Sequence, residues 1–141
     1  MVRLQREPIR IEDLVAAVRG DPDGAVALFL GTVRDHNAGR RVVRLEYFAY
    51  SEMAECEMTR IADETTRRFG VSRVAIAHRI GALEIGDVSV AIAVASAHRA
   101  QALDACRFAI DTLKERVPIW KKEHFEGGTA WVEGGGTASM V

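Results

Sequence analysis

Two lysines, Lys114 and Lys121, are the residues of this sequence whose spacing most suggests chemistry. Lys114 falls near the end of a predicted helix, and Pro118 ends that helix because proline lacks an amide donor and clashes with the preceding turn. We expect the apolar segment ending in Trp120 to anchor the exit, which holds Lys121 near Lys114. Two partly desolvated ammonium groups lower each other's pKa, which makes one a usable base or nucleophile. The alternative is that Lys114 is a solvated partner of Asp111 on the helix surface.

Two further polar segments follow predicted strands. Residues 34–37 (RDHN) come directly after an apolar strand, where a rigid element can aim exposed side chains at a ligand. Residues 96–99 (SAHR) lead into a helix, whose free amide donors and partial positive charge favour a phosphate or carboxylate. The alternatives are a solvated loop in the first case and a Ser96 cap with surface residues in the second. Arg79 is a further basic residue near a strand end.

Several kinds of catalytic site are missing from the sequence pattern. There is no paired-carboxylate signature, no Ser-His-Asp arrangement and no cluster of metal-ligating residues. Cys56 and Cys106 stand alone within predicted helices, so we interpret both as small buried hydrophobic residues rather than as reactive thiols. The residues by themselves therefore predict an anion pocket built from Arg and Lys, without naming a reaction.

Length and charge limit the possible classes of protein. A chain of 141 residues fits one domain with a real core. The net charge of −1 predicts no overall attraction to nucleic acid or to an anionic membrane. No segment approaches the roughly 18 apolar residues that span a bilayer, and the charged N-terminus lacks the apolar core of a signal peptide. We therefore expect a cytoplasmic protein.

Hydrophobic periodicity predicts alternating helices and pairs of strands. The predicted helices cover residues 10–19, 51–70 and 97–116, and the predicted strands cover residues 25–33, 42–50, 74–80, 88–96 and 130–133. Residues 34–41 are expected to form a loop, and strand 25–33 is apolar enough to be buried on both faces. Strands in adjacent pairs favour an α+β fold with antiparallel sheets and packed helices over a doubly wound sheet.

Details of the helices and of the chain ends also follow from the pattern. Ser51 is a plausible N-cap of the second helix and Gly70 a suitable residue just beyond its end. Residues 1–133 are expected to form a single domain, and residues 134–141 (GGGTASMV) a mobile tail. The buried stripe of the third helix is predicted to comprise Leu103, Cys106, Ala109, Ile110, Leu113 and Val117.

Five sequence blocks, in order, resemble the large catalytic subunit of molybdopterin synthase. They are GTVRDHN, HRIG, SAHR, LKERVPIWKKE and WVE, and the similarity runs from about Gly24 to Glu133. The blocks keep the family's order and similar spacing. The resemblance implies the α/β hammerhead fold of that family. The glycine triplet after Glu133 departs from the charged continuation common in the family.

The resemblance also implies a reaction and its partners. The family is a sulfurtransferase of molybdenum cofactor biosynthesis, which converts cyclic pyranopterin monophosphate (precursor Z) into molybdopterin by inserting two sulfurs. A small ubiquitin-like subunit carries each sulfur as a thiocarboxylate on its C-terminal Gly-Gly. Two large subunits form a homodimer within a heterotetramer. No metal or organic cofactor is implied.

Carried over by position, the family's two key lysines fall on Lys114 and Lys121. Arg34 matches a substrate-site arginine, and His98 with Arg99 matches the pair that contacts the phosphorylated pterin. The substrate-binding residues so implied are Thr32, Val33, Arg34, His98, Arg99, Lys114, Lys121, Lys122 and Glu123.

Two other functions are compatible with a basic pocket. One is a non-catalytic module that binds a ubiquitin-like tail or an anionic metabolite. The other is a free-standing phosphate-ester hydrolase, which is disfavoured because neither an acid/base pair nor a metal site is visible.

Overall fold

Two sheets and three helices make up the computed structural model, which describes residues 1–132. Helices α1, α2 and α3 span Ile11–Val18, Ser51–Phe69 and Arg99–Arg116. In chain order, strands β1 to β9 span Val2–Gln5, Ala25–Thr32, His36–Asn37, Arg40–Ala49, Arg73–Arg79, Gly81–Glu84, Val88–Ser96, Ile119–Phe125 and Gly128–Val132. No helix within these 132 residues is both long and apolar enough to cross a membrane.

The first sheet has the strand order β1-β5-β7-β2, with β7 at its centre as its apolar sequence predicts. Only the β1–β5 pair is parallel; β5–β7 and β2–β7 are antiparallel. Because side chains alternate across a strand, even-numbered residues of β7 such as Ile92 pack toward α2 and α3. Three of the odd-numbered residues of β7, Ala91, Ala93 and Ala95, are small, which lets the short helix α1 lie close through Leu14 and Val18.

The second sheet has the strand order β3-β4-β8-β9, and β6 pairs with β4 as well. Its strand pairs are all antiparallel. A small apolar cluster of Val33, Val42, Leu45 and Leu83 lies on its inner side. The inner face of this sheet therefore meets the end of β2, and the candidate site lies at that junction.

The predicted α+β class, with antiparallel sheets and packed helices, is confirmed. All three predicted helices are present, and Pro118 follows the end of α3 as expected, with Val117 as the C-cap. Four strands were not predicted. β1 and β6 have four residues each and β3 has two, too few for a recognisable period, and β8 carries charged residues on both faces.

Strand β2 was wrongly predicted to be buried on both faces. It is an edge strand, and α1 covers β5 and β7 rather than β2. Val26, Leu28 and Leu30 therefore form an exposed apolar row along it.

Four other predictions are corrected by the packing of the helices and of the hairpin. Leu103 is 61% exposed rather than part of the buried stripe, and Cys56 is exposed, whereas Cys106 is buried. Tyr50, not Ser51, is the N-cap of α2, and no side chain caps this end. The predicted loop at 34–41 contains the β3–β4 hairpin, whose turn has positive φ at Ala38 and Gly39. Residue 133 and the predicted tail at 134–141 lie outside the described residues.

Candidate active site

A cavity of about 420 Å³ opens between the end of β2, the inner face of the second sheet and the last turns of α3. Its volume is in the range of small-molecule sites. Three of its lining side chains, Arg34, Lys114 and Lys121, are basic. Its other lining residues are Phe29, Gly31, Thr32, His36, Asn37, Val42, Leu45, Tyr47, Ser89, Val90, Glu123 and Val132.

The end of β2 brings Arg34 to the cavity. The register of β2 against β7 shifts between Gly31 and Thr32, which marks a bulge at the cavity wall. Val33 is 4% exposed and packs into the apolar cluster beneath the second sheet. This buried anchor fixes the backbone on the N-terminal side of Arg34, whose own side chain is exposed and lines the cavity.

The two lysines reach the cavity from consecutive elements. Lys114 lies in the last turn of α3, and Lys121 lies on the inner face of β8, which begins directly after Pro118. Trp120 points to the opposite face of β8 and meets the ring of Tyr50 at 5.1 Å between centroids. The expected approach of Lys121 to the end of α3 is therefore present, although a strand rather than an irregular exit produces it.

Burial and like charge both act on these lysines. Burial lowers the pKa of Lys121, and the charge of Lys114 lowers it further. Glu123 acts against this effect, and Arg34 adds a smaller contribution to it. Partial desolvation also lowers the pKa of Lys114, even though much of its surface remains exposed. Both effects increase the fraction of free amine near neutral pH, as a base or nucleophile requires.

A carboxylate, Glu123, lies among these cations on the same face of β8 as Lys121. It is only 3% exposed. Its Oε2 accepts a hydrogen bond of 2.9 Å from Asn37 Nδ2, and its Oε1 lies 3.7 Å from Arg40 Nη2. The guanidinium of Arg40 is held over the ring of Phe125 at 4.1 Å. The β3–β4 hairpin is thus fastened to β8 through this acid.

The floor of the cavity is formed by Tyr47 and Ser89. Burial raises the pKa of Tyr47, and a hydrogen bond with Ser89 opposes that rise. Ser89 is 5% exposed, and its hydroxyl donates to the carbonyl of Gly31 at 3.2 Å. The floor is therefore a polar surface with an uncharged phenol, suited to hydrogen bonding rather than to charge.

The family described as MoaE protein matches residues 4–116 of the chain. The chain belongs to the MoaE family. A relative named molybdopterin synthase catalytic subunit, from Halalkalibacterium halodurans, is 47% identical over 129 residues, which are 92% of this chain and 83% of that protein. The X-ray crystal structure of molybdopterin synthase from Staphylococcus aureus has 42% identity and a TM-score of 0.89, covering 92% of this chain and 94% of that one.

A more distant MoaE-like fold occurs in Helicobacter pylori. The structure is described as a protein–protein complex of subunits 1 and 2 of molybdopterin-converting factor. Its TM-score is 0.74 at 19% identity, over 93% of this chain and 89% of that one. This similarity shows that the fold is shared.

Two of the residues predicted for the MoaE substrate site, His98 and Arg99, lie outside the cavity of a single chain. Both are exposed where β7 leads into α3. Lys114 is at the other end of α3, about 22 Å away along the axis at about 1.5 Å per residue. One chain alone therefore does not bring this pair to the lysines.

Three further residues of interest in this MoaE chain have other contacts. Lys122 points to the outer face of β8, where its ammonium lies 5.6 Å from the ring of Trp131. Val33 acts as an anchor rather than a lining residue. Arg79 pairs with Asp87 at 3.3 Å and donates to the carbonyl of Arg6, which gives it a role in joining elements of the fold.

Several lining residues carry no sequence signal for a site. Tyr47 and Ser89 sit in predicted strands and read as ordinary core positions, and nothing in the polar segment 34–37 singles out Asn37. The inward alternation of β4 could have pointed to Tyr47, but it does not show what the residue faces. Within residues 1–132, no group of three or more His, Cys, Asp or Glu side chains is arranged to hold a metal ion.

Proposed function

We propose that this chain is the catalytic subunit of a molybdopterin synthase. It transfers sulfur from a thiocarboxylated carrier subunit to precursor Z, forming the dithiolene of molybdopterin. The observation that carries the proposal is the convergence of Arg34, Lys114 and Lys121 in one cavity of a MoaE-family chain. A cavity of about 420 Å³ that is lined by three cations is suited to a phosphorylated substrate and to the carbonyl end of an extended peptide.

Each basic group has a distinct use in this chemistry. The guanidinium of Arg34 binds anionic oxygens through charge-assisted hydrogen bonds. A lysine ammonium beside the thiocarboxylate stabilises the oxyanion that develops when its carbonyl carbon is attacked. A free lysine amine can instead accept a proton as sulfur adds. The lowered pKa values of Lys114 and Lys121 support both uses, because each ammonium gives up its proton more readily than an exposed lysine does.

The sulfur donor in this proposal is a small ubiquitin-like subunit ending in Gly-Gly. Glycines have no side chains, so such a tail can enter a narrow cavity in extended form. The Helicobacter pylori structure, described as a complex of subunits 1 and 2, supports a partner of this kind.

A second copy of the chain completes the site in this proposal. The edge strand β2 exposes Val26, Leu28 and Leu30, an apolar row of the sort that a second protein surface covers. If two copies meet along β2 about a two-fold axis, the start of β2 in one copy lies beside the end of β2 in the other.

That arrangement bears directly on His98 and Arg99. Ala25, the first residue of β2, pairs with Ser96, the last residue of β7, so His98 and Arg99 lie close to the start of β2. The two-fold contact would carry them toward Arg34 of the other copy. The proposed assembly therefore contains two copies of this chain, which share their active sites, and one carrier subunit at each site. It is a homodimer within a heterotetramer.

Reconstitution with the thiocarboxylated carrier and precursor Z tests the activity. Lys114→Ala and Lys121→Ala are expected to abolish dithiolene formation while the circular dichroism of the fold persists. Arg107→Ala is the matched control, because Arg107 is an exposed α3 residue paired only with Asp111 among the ion pairs of the described chain. Normal turnover in both lysine variants would contradict the proposal.

Other outcomes separate the competing functions. Carrier binding without product, in the wild-type chain, would identify a non-catalytic binding module. Phosphate release from precursor Z without any carrier would identify a hydrolase.

Mixing two inactive variants tests the shared site. Lys114→Ala and Arg99→Ala are each expected to be inactive alone. After the subunits are mixed and exchanged, about half of the dimers are mixed, and one of their two sites is complete, giving about a quarter of wild-type activity. No recovery despite verified exchange would show that each site uses a single chain.

A further inference from the structure

The acid at the centre of this basic cavity requires an explanation. Glu123 is buried, and its negative charge weakens the binding of any anion that Arg34 and the lysines attract. Its Oε1 has no hydrogen-bond partner among the described residues, so only Oε2 is fixed by a direct hydrogen bond. The ion pair with Arg40 at 3.7 Å is too long for a hydrogen bond, and a buried carboxylate oxygen without a hydrogen bond costs stability. We expect a carboxylate that serves packing alone to have hydrogen bonds to both of its oxygens.

The position of Glu123 suggests its use. Glu123 and Lys121 are two residues apart on β8, so both side chains point from the same face of the strand into the cavity. The strand holds their backbones rigidly, because β8 is paired with β4 on one side and β9 on the other. What remains to be fixed is the direction of the carboxylate, and Asn37 provides the one hydrogen bond that does so among the described residues.

We propose that Asn37 is a positioning residue, which holds the Glu123 carboxylate beside Lys121 and thereby controls the charge of that lysine. Asn37 is suited to this task because it stands at the turn of the β3–β4 hairpin, where Ala38 and Gly39 have φ of 51° and 77°. On the far side of the turn, Arg40 lies 3.7 Å from Glu123 Oε1. The hairpin therefore holds the carboxylate from both ends.

The charge of Lys121 results from opposing groups. Lys114 and Arg34 lower its pKa, and Glu123 is the group that raises it. A carboxylate that rotates away, or that takes up a proton, raises the pKa less. The titratable and charged groups around the cavity and its floor, named by element, are Arg34 after β2, His36 on β3, Arg40 and Tyr47 on β4, His78 on β5, Lys114 on α3 and Glu123 on β8.

This inference deepens the proposed function, because Lys121 is one of its two proposed catalytic residues. It can nevertheless be tested without turnover. The protonation of Lys121 is read from the pH dependence of its labelling by an amine-specific reagent, followed by mass spectrometry of the peptide that contains it.

The decisive variants are Asn37→Leu, Glu123→Gln and the double variant. Asn37→Leu removes the donor at similar volume, and Glu123→Gln removes the charge at similar shape. Each single variant is expected to move the labelling midpoint of Lys121 to lower pH. Because Asn37 acts through Glu123, Asn37→Leu should have no further effect once Glu123→Gln is present.

Controls separate positioning from a general disturbance of the hairpin. Arg41→Ala changes an exposed residue of the same hairpin that does not line the cavity, and should leave the Lys121 midpoint unchanged. Amide spectra by NMR check that each variant is folded, and Asn37→Ala replaces Asn37→Leu if the larger side chain disrupts folding.

Two results would overturn the inference. One is an unchanged Lys121 midpoint in a folded Asn37→Leu protein; the other is an effect of Asn37→Leu that adds in full to that of Glu123→Gln. If Asn37→Leu shifts the midpoint but Lys121→Ala still turns over normally, the positioning role stands and the proposed catalytic role of Lys121 fails.

Discussion

The imidazole of His78 packs edge-on against the ring of Tyr47, with centroids 5.2 Å apart and planes at 71°. His78 is 5% exposed, and its Nδ1 donates to the carbonyl of Arg79 at 2.8 Å. Burial lowers the pKa of His78 to about 4, and the charges of Lys114 and Lys121 contribute to the fall. A neutral imidazole therefore supports the cavity floor without adding another positive charge to it.

The buried His78 should make the fold sensitive to mild acid. Its pKa in the folded chain is about 4, below the ordinary value of 6.5, so the unfolded chain binds more protons between these values. The free energy of unfolding therefore falls as pH drops through this window, and between pH 7 and pH 5 His78 alone accounts for a loss of about 2 kcal/mol. Urea titrations at both pH values should show a smaller loss for His78→Gln than for the wild type.

Carboxylates also titrate in acid, so the comparison must isolate one side chain. The quantity of interest is the difference in unfolding free energy between wild type and His78→Gln at each pH. His98→Gln, at an exposed position, controls for the loss of an imidazole in general. Parallel pH curves for wild type and His78→Gln would show that His78 is not buried in neutral form.

The charge of Lys114 should be visible in the titration of Lys121. Lys114 lowers the pKa of Lys121, so Lys114→Met is expected to move the Lys121 labelling midpoint to higher pH. Lys114→Arg keeps the positive charge and should largely keep the midpoint. Equal shifts in the two variants would mean that the shape of the side chain, rather than its charge, acts on Lys121.

The sequence correctly predicted the elements whose hydrophobic pattern follows from how their faces are buried. β7 is apolar because both of its faces are covered, and α2 has one apolar stripe because one side of it meets the first sheet. β8 was missed because the inward positions that should be apolar hold Lys121 and Glu123. The polar residues of the candidate site thus interrupt the alternating apolar pattern by which β8 could have been predicted.

The candidate site was predictable only in part. The approach of Lys121 to the end of α3 follows from the proline stop after Lys114, whereas the meeting of Arg34 with the lysines depends on how two sheets pack. No local pattern records that packing, and the floor formed by Tyr47 and Ser89 reads as core. His98 and Arg99 show a further limit, since a sequence does not state whether residues far from a cavity in one chain reach it from a second copy.

A half-buried ion-pair network joins α2 to α3 and should contribute measurably to stability. Arg116 donates to Glu57 at 2.8 Å and to Glu64 at 2.9 Å. Arg116→Met keeps the packing of the stem but removes these charged hydrogen bonds, and the loss of the less exposed Glu57 bond is expected to cost about 1 kcal/mol in urea unfolding. Arg107→Met is the control, because the Arg107–Asp111 pair on α3 is highly exposed and should be worth about 0.5 kcal/mol or less. Equal losses would show that the network adds nothing beyond a surface pair.

Close packing of the cavity wall can be tested at Gly31. A Cβ atom there would lie 2.6 Å from Cγ1 of Val90, which is only 3% exposed and cannot move without disturbing the core. Gly31→Ala should therefore cost about 1 to 3 kcal/mol in urea unfolding.

The double variant Gly31→Ala/Val90→Ala should lose less stability than the sum of the two single variants, because the smaller residue at position 90 removes the clash. Gly128→Ala is the control, since its new Cβ would meet nothing closer than 3.6 Å. Because Gly31 and Val90 both line the cavity, Gly31→Ala should also raise KM for the proposed substrate, precursor Z, and an unchanged KM in a destabilised variant would show that the clash relaxes away from the cavity.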